Sequence, residues 1–434
     1  MLFLKSLLSL HCMLCCCDIS AVDERATHHQ TETMPKYLKI TLYCAVGLSL
    51  LAGLCWPVTR FLRLPSPTAL VGLALELRPF SQSYVYFDSA PLAASTNPQA
   101  LQAPSPAQST APSPFLSQQV AWRNGGTIGL AQFLSETHTD ALLVIHRGQL
   151  VQELYPLGAN RETIFPSYSV AKSILSDLTG IAVQEGKLSL ADPVRKYLPY
   201  LPEKFDSLKV SDLLNMHSGI HVDEKYDSVF SQIAYMYITT DLKRFVRGLG
   251  ATQFTPGEGF VYRSIDYLLL GMVLSAATGE PLTRYLQDKL WQPMGAQFPA
   301  SWSVDSDAGG VEKSFCCINA RAVDFARYGL LHVRRGQANG KVVLPESWMQ
   351  RPEQVGVADA DFAYGRGWWL PRRATNGQDY TAIGIHGQYV YIDPVSDTVI
   401  VKLSDHGAEQ DEALTVAAFR SIVALLSSPP STPH

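Results

Sequence analysis

Two stretches carry the alternating apolar and polar pattern of strands. In "ALLVIHRGQLVQELY" (residues 141–155), two short apolar runs flank Arg147-Gly148, which signals a hairpin. "GQYVYIDPVSDTVIVKLS" (387–404) predicts a second hairpin, turning at "DPVSD". "DEALTVAAFRSIVALL" (411–426) spaces its apolar residues as one face of a helix. Helical text also runs on from Ser169 ("SVAKSILSDLTGIAV"). In 254–282 a Pro-Gly loop leads into an apolar helix ending at Thr278-Gly279. From about residue 118 the body therefore opens with a hairpin and closes with a hairpin plus helix. The pattern predicts an α+β fold: an antiparallel sheet formed from both chain ends and flanked by helices.

Ahead of that body, residues 40–58 ("ITLYCAVGLSLLAGLCWPV") form an uncharged apolar run, with Lys36 and Lys39 before it and Arg60 and Arg63 after. The run is long enough to span a bilayer. It predicts a signal-anchor within 34–63, holding the protein to the inner membrane with its catalytic body in the periplasm. A cleaved signal peptide and secretion is the alternative. "LAGLC" resembles a lipoprotein cleavage box, but Leu54 occupies the position that needs a small residue. Residues 1–33 read as a doubtful extension, because Met34 opens the basic "MPKYLK". Residues 64–117, rich in Ala, Pro, Ser and Gln after position 90, read as a linker region. The catalytic domain is expected over 118–428.

Composition narrows the function. Of 434 residues, 47% are hydrophobic and 17% charged, so the chain can bury a core. A net charge of −4 without Lys/Arg runs argues against a nucleic-acid partner. Six of the eight cysteines lie at or before position 55, and Cys316 and Cys317 are adjacent. An adjacent pair bridges only with strain, so these two read as small buried apolar residues. No G-x-S-x-G elbow, P-loop, dinucleotide fingerprint or H-E-x-x-H is present, and no metal or cofactor is expected.

Three stretches carry candidate chemistry. Ser169 and Lys172 stand at i and i+3, so a helix starting there puts the amine within reach of the hydroxyl. The apolar surroundings would lower the lysine pKa and let it activate the serine. An N-capping serine beside a chance lysine explains the same four residues. Tyr262 and Ser264 sit at the entry of the second helix, where the phenol faces a cleft or simply packs. In "AIGIHGQYVYIDP" (382–394), Gly384 and Gly387 permit a close backbone approach, and a strand N–H there, with that of Ser169, could hold an oxyanion.

In this order the three stretches resemble the serine β-lactamase-like, penicillin-recognising family, in its class C and esterase branch with the 6-aminohexanoate-dimer hydrolases. Ser169-Val170-Ala171-Lys172 matches the first motif, Tyr262-Arg263-Ser264 the second, and Ile385-His386-Gly387 stands at the third. The resemblance covers roughly 130–427 and implies a sheet domain with a mostly helical subdomain. It implies acyl transfer from a small amide or ester: Ser169 attacks, Lys172 and Tyr262 move the proton, and the N–H groups of Ser169 and Gln388 hold the oxyanion. Ser264, Ile385, His386, Gly387, Asp223 and Trp368 are the further pocket candidates. Ile385 replaces the cationic or imidazole residue of β-lactamases, which disfavours β-lactam carboxylates. A penicillin-binding or cell-wall-sensing protein that acylates without efficient turnover is the alternative function.

Overall fold

The computed structural model describes residues 55–99, 101, 115–307, 309–372, 378–407 and 411–427. The two predicted hairpins are present and lie side by side. Thr139–His146 pairs with Gln149–Leu154, and Gln388–Asp393 with Thr398–Ser404. The hairpins join through Thr398–Ser404 against Thr139–His146, with His146 opposite Thr398 and Ala141 opposite Leu403. Adding Tyr380–Gly384, Trp368–Pro371, Phe362–Gly365 and Gly356–Val357 completes an eight-stranded antiparallel sheet. Both ends of the body thus meet in one sheet, as the pattern predicts.

Both faces of that sheet are buried, and period two sorts the side chains between them. From Thr139–His146, Ala141, Leu143 and Ile145 enter the larger core; Leu142 and Val144 enter a second. The second core is closed by Val416, Phe419 and Ile422 of the Glu412–Ser427 helix and by Phe133 and Leu134 of Leu130–Glu136. The larger core holds the Ala322–Val333, Val170–Gln184 and Ser264–Thr278 helices. In Val170–Gln184 even Asp177 is fully buried, with its carboxylate accepting hydrogen bonds from Tyr328 at 2.6 Å and His332 at 3.0 Å. The helix is therefore fixed on all sides, which keeps its first turn rigid.

The linker expectation fails for the first part of 64–117. Pro67–Ala74 is a helix capped by Ser66, Phe80–Tyr86 is a 3₁₀ turn, and Ser89–Leu92 is an edge strand paired with Ala300–Ser303 in a four-stranded sheet. Composition could not reveal this, because the strand's partner lies about 200 residues away. Residues 102–114 fall outside the described residues, as do 1–54, which contain most of the expected anchor run. Among the described residues no helix is long and apolar enough to cross a membrane. Cys316 and Cys317 are buried, as expected, but are bonded to each other as a disulfide, with Cys317 at φ 77°. That local backbone conformation brings adjacent sulfurs together, which the sequence does not show. Among the described residues Cys55 is free and exposed.

Candidate active site

The turn before the Val170–Gln184 helix sets the site. Tyr168 is buried with φ 43°, a left-handed conformation that an L residue holds only when its surroundings impose it. Its hydroxyl donates to Phe80 O at 2.8 Å and pairs with Ser83 Oγ at 3.0 Å. Ser167 is tied to Ile318 in both directions, N–H to carbonyl at 2.7 Å and Ile318 N–H to its hydroxyl at 3.0 Å. Ser169 follows as the helix N-cap residue, and its side chain makes no capping bond. The capping explanation for Ser169 therefore does not apply.

Lys172 is 1% exposed and points back along its own helix. Its Nζ lies 2.9 Å from Ser169 Oγ and 3.3 Å from Ser264 Oγ and donates to Phe315 O at 2.8 Å. Burial pulls the amine down from an ordinary 10.5 to about 7, and the Glu224 carboxylate pushes back upward. Near neutral pH this lysine can thus stand as a neutral base beside a serine hydroxyl. Tyr262 closes the third side: its ring centroid lies 5.1 Å from Lys172 Nζ. Burial, and then Tyr364 and Tyr226, hold the phenol protonated far above its usual range, against a smaller downward pull from the nearby Ser169 hydroxyl.

Gly384 brings the third stretch into place. A Cβ there would lie 2.7 Å from Ser167 O and 3.1 Å from Ser169 N, so only glycine lets the strand end approach the Ser169 backbone this closely. The next residue, Ile385, lines a cavity of about 300 Å³ together with Ser169. Gln388, expected to contribute its backbone N–H, has a side chain committed elsewhere. It is buried opposite Gly384 at the foot of the hairpin, and its side-chain nitrogen donates to His386 O at 3.0 Å and Ser404 O at 2.7 Å. Its role is to brace the turn. His386 is a cavity wall: Nδ1 donates to Gly407 O at 2.7 Å, the ring stacks on Phe80 at 4.1 Å, and burial lowers its pKa. Gly387, at φ 82°, makes the turn.

Two other candidates are displaced by one position. Trp368 is buried against His332 at 4.6 Å and Tyr380 at 5.0 Å, so it is core; Trp369 packs on Tyr262 at 5.1 Å. The Asp223 backbone bonds Gln232 and Ile233, while Glu224 reaches the site. Glu224 accepts from the N–H of Ser264, the first residue of its helix, where the dipole favours a carboxylate. The Tyr226 hydroxyl lies 3.4 Å from Glu224 and 3.5 Å from Ser264 Oγ. In the sequence Asp223, Glu224 and Tyr226 follow "HSGI" (217–220) as a stretch that could line the pocket mouth or be a solvated loop; the fold brings Glu224 and Tyr226 to the site. Among the described residues no cluster of His, Cys, Asp and Glu could hold a metal.

An antiparallel sheet with a serine and a buried lysine one turn apart at a helix start defines the class of serine-active β-lactamase-fold proteins. The β-lactamase family model matches residues 130–423, and the chain belongs to that family. It is 29% identical over 306 residues to 6-aminohexanoate-dimer hydrolase of Paenarthrobacter ureafaciens, covering 63% of this chain and 74% of that protein. Its fold is that of a candidate 6-aminohexanoate-dimer hydrolase from Bacillus anthracis (TM-score 0.71, 22% identity, 81% of this chain and 94% of that one). A penicillin-binding protein from Bacillus halodurans shares the fold more loosely (TM-score 0.56, 17% identity, 68% and 99%).

Proposed function

We propose that this hydrolase-family protein cleaves a small amide or ester through an acyl-enzyme on Ser169. The observation that carries the proposal is the buried Lys172 amine 2.9 Å from Ser169 Oγ. Ser169 Oγ attacks the carbonyl carbon as its proton passes to neutral Lys172. The protonated phenol of Tyr262 relays a proton to the departing nitrogen or oxygen and recovers one from Lys172. Water then adds to the acyl-enzyme, and Ser169 leaves with its proton restored. The oxyanion donors are the N–H of Ser169 and that of Ile385 rather than Gln388; the close approach at Gly384 and the buried, hairpin-bracing Gln388 support this choice. The similarity to 6-aminohexanoate-dimer hydrolase favours linear amides. Ile385 and a neutral His386 offer no cation to a β-lactam carboxylate. Ser169→Ala is expected to abolish hydrolysis of p-nitrophenyl acetate while retaining the wild-type circular dichroism spectrum. A folded variant with full activity overturns the proposal.

A further inference from the structure

The cavity beside Ser169 is built partly by chain that precedes the family-matched residues 130–423. Leu73, Phe80 and Ser83 line it together with Ile233 and Ala234. This wall is anchored. A Cβ on Gly72 would fall 2.3 Å from the Tyr86 ring, so the Pro67–Ala74 helix packs directly on the Phe80–Tyr86 turn. Ser81 N–H donates to Asp405 at 3.2 Å, Thr240 N–H to Arg63 O at 2.8 Å, and Phe80 lies flat on His386. The polar atoms of the wall are spent on each other: Ser83 Oγ lies 3.0 Å from the Tyr168 hydroxyl and 3.4 Å from that of Tyr237. What faces the cavity is effectively apolar.

The position of Tyr262 decides what enters. The leaving group must lie toward the phenol that protonates it, and Tyr262 is packed among Tyr364 and Trp369. The cavity beside Ser169 is lined by Tyr168, Phe80 and His386 and not by Tyr262, Tyr364 or Trp369, so the acyl portion would lie there. We propose that Leu73 and Phe80 form the end wall of an acyl-chain pocket and set the length of unbranched, uncharged acyl group that Ser169 accepts. At about 30 Å³ for a group the size of a water, 300 Å³ holds a chain of roughly eight to ten carbons. This inference rests on the acyl-enzyme reading above.

The test compares kcat/KM for p-nitrophenyl acetate, hexanoate and dodecanoate in the full chain, in Phe80→Ala and in Leu73→Trp, with Ser169→Ala alongside. Each methylene buried in the pocket is worth about fourfold, so the wild type should prefer hexanoate to acetate and lose preference at dodecanoate. Leu73→Trp takes up room for roughly two carbons and should lower the decanoate-to-acetate ratio, measured alongside, about tenfold or more. Phe80→Ala opens it and should raise the dodecanoate-to-hexanoate ratio about fivefold or more. Each ratio is internal to one variant, so partial unfolding does not imitate the effect. Unchanged ratios in both variants, with Ser169→Ala inactive, overturn the wall and leave the acyl-enzyme standing. Full activity in folded Ser169→Ala overturns the reading on which the wall rests.

Discussion

Replacing Lys172 by methionine should destroy activity and stabilise the fold. The amine's pKa falls from 10.5 in an open chain to about 7 in the folded protein. At about 1.4 kcal/mol per tenfold, holding it neutral at pH 7 costs the fold roughly 4 kcal/mol. Methionine fills a similar volume without that cost. It also leaves Phe315 O, Ser169 Oγ and Ser264 Oγ without their partner, a loss of about 2 kcal/mol. The net expectation at pH 7 is a gain of about 2 kcal/mol. The sign with pH follows from linkage. Between about 7 and 10.5 the unfolded chain binds a proton that the folded chain does not, so the Lys172 contribution makes wild-type stability rise with pH across that window. The advantage of Lys172→Met should therefore shrink above pH 7 and reverse by pH 10. Thermal unfolding of both proteins at pH 7, 8.5 and 10 measures this. The buried Lys313 and Lys402 titrate alike in both proteins and cancel in the difference. A difference in melting temperature that is flat from pH 7 to 10 would refute the neutral amine, and with it Lys172 as the base.

Further tests address the remaining parts of the site. Tyr262→Phe should lower kcat by about 10² to 10⁴, the usual contribution of a positioned proton donor; a loss below about tenfold in stopped-flow ester kinetics would move the relay elsewhere. Glu224→Gln removes the charge that holds the Lys172 pKa up. Activity falls as pH drops through that pKa, so the acid limb of the kcat/KM profile should move to lower pH, and an unmoved limb would show that the carboxylate does not act on the amine. Gly384→Ala places a methyl 2.7 Å from Ser167 O. It should reduce kcat about a hundredfold through a displaced oxyanion donor, and wild-type kcat would show that the close approach is not needed.

The elements with strict periodicity were legible in the sequence. The two hairpins and the helices after Ser169, before Gly279 and after Asp411 stand where the apolar spacing puts them, because each periodicity has one face to bury. The misplacements are of two kinds. Some are shifts by one residue: Trp368 for Trp369 on a strand whose faces alternate, and Asp223 put forward where its neighbour Glu224 meets the site. Spacing says that the side chains of neighbouring residues part, not which one meets the site. The choice of Ile385 over Gln388 as oxyanion donor in the proposed mechanism likewise draws on the hairpin's close packing on Ser167–Ser169, which the sequence does not show. The other kind is long range. Nothing in residues 64–92 announces that Leu73 and Phe80 wall a cavity beside a serine about 100 residues later, because the contacts of Ser81 with Asp405 and of Ser89–Leu92 with Ala300–Ser303 exist only in the folded chain.

The central claim is that Ser169 becomes acylated and then turns over. Quenched-flow mixing with p-nitrophenyl hexanoate, followed by intact-mass and peptide measurement, tests it directly. The account predicts a transient mass gain of one hexanoyl group on the peptide holding Ser169, absent in Ser169→Ala and decaying as hexanoate accumulates. A stable adduct with no further product would identify an acylating binder instead. Steady hydrolysis with no adduct at any time, or an adduct on another residue, would contradict the assignment of the nucleophile.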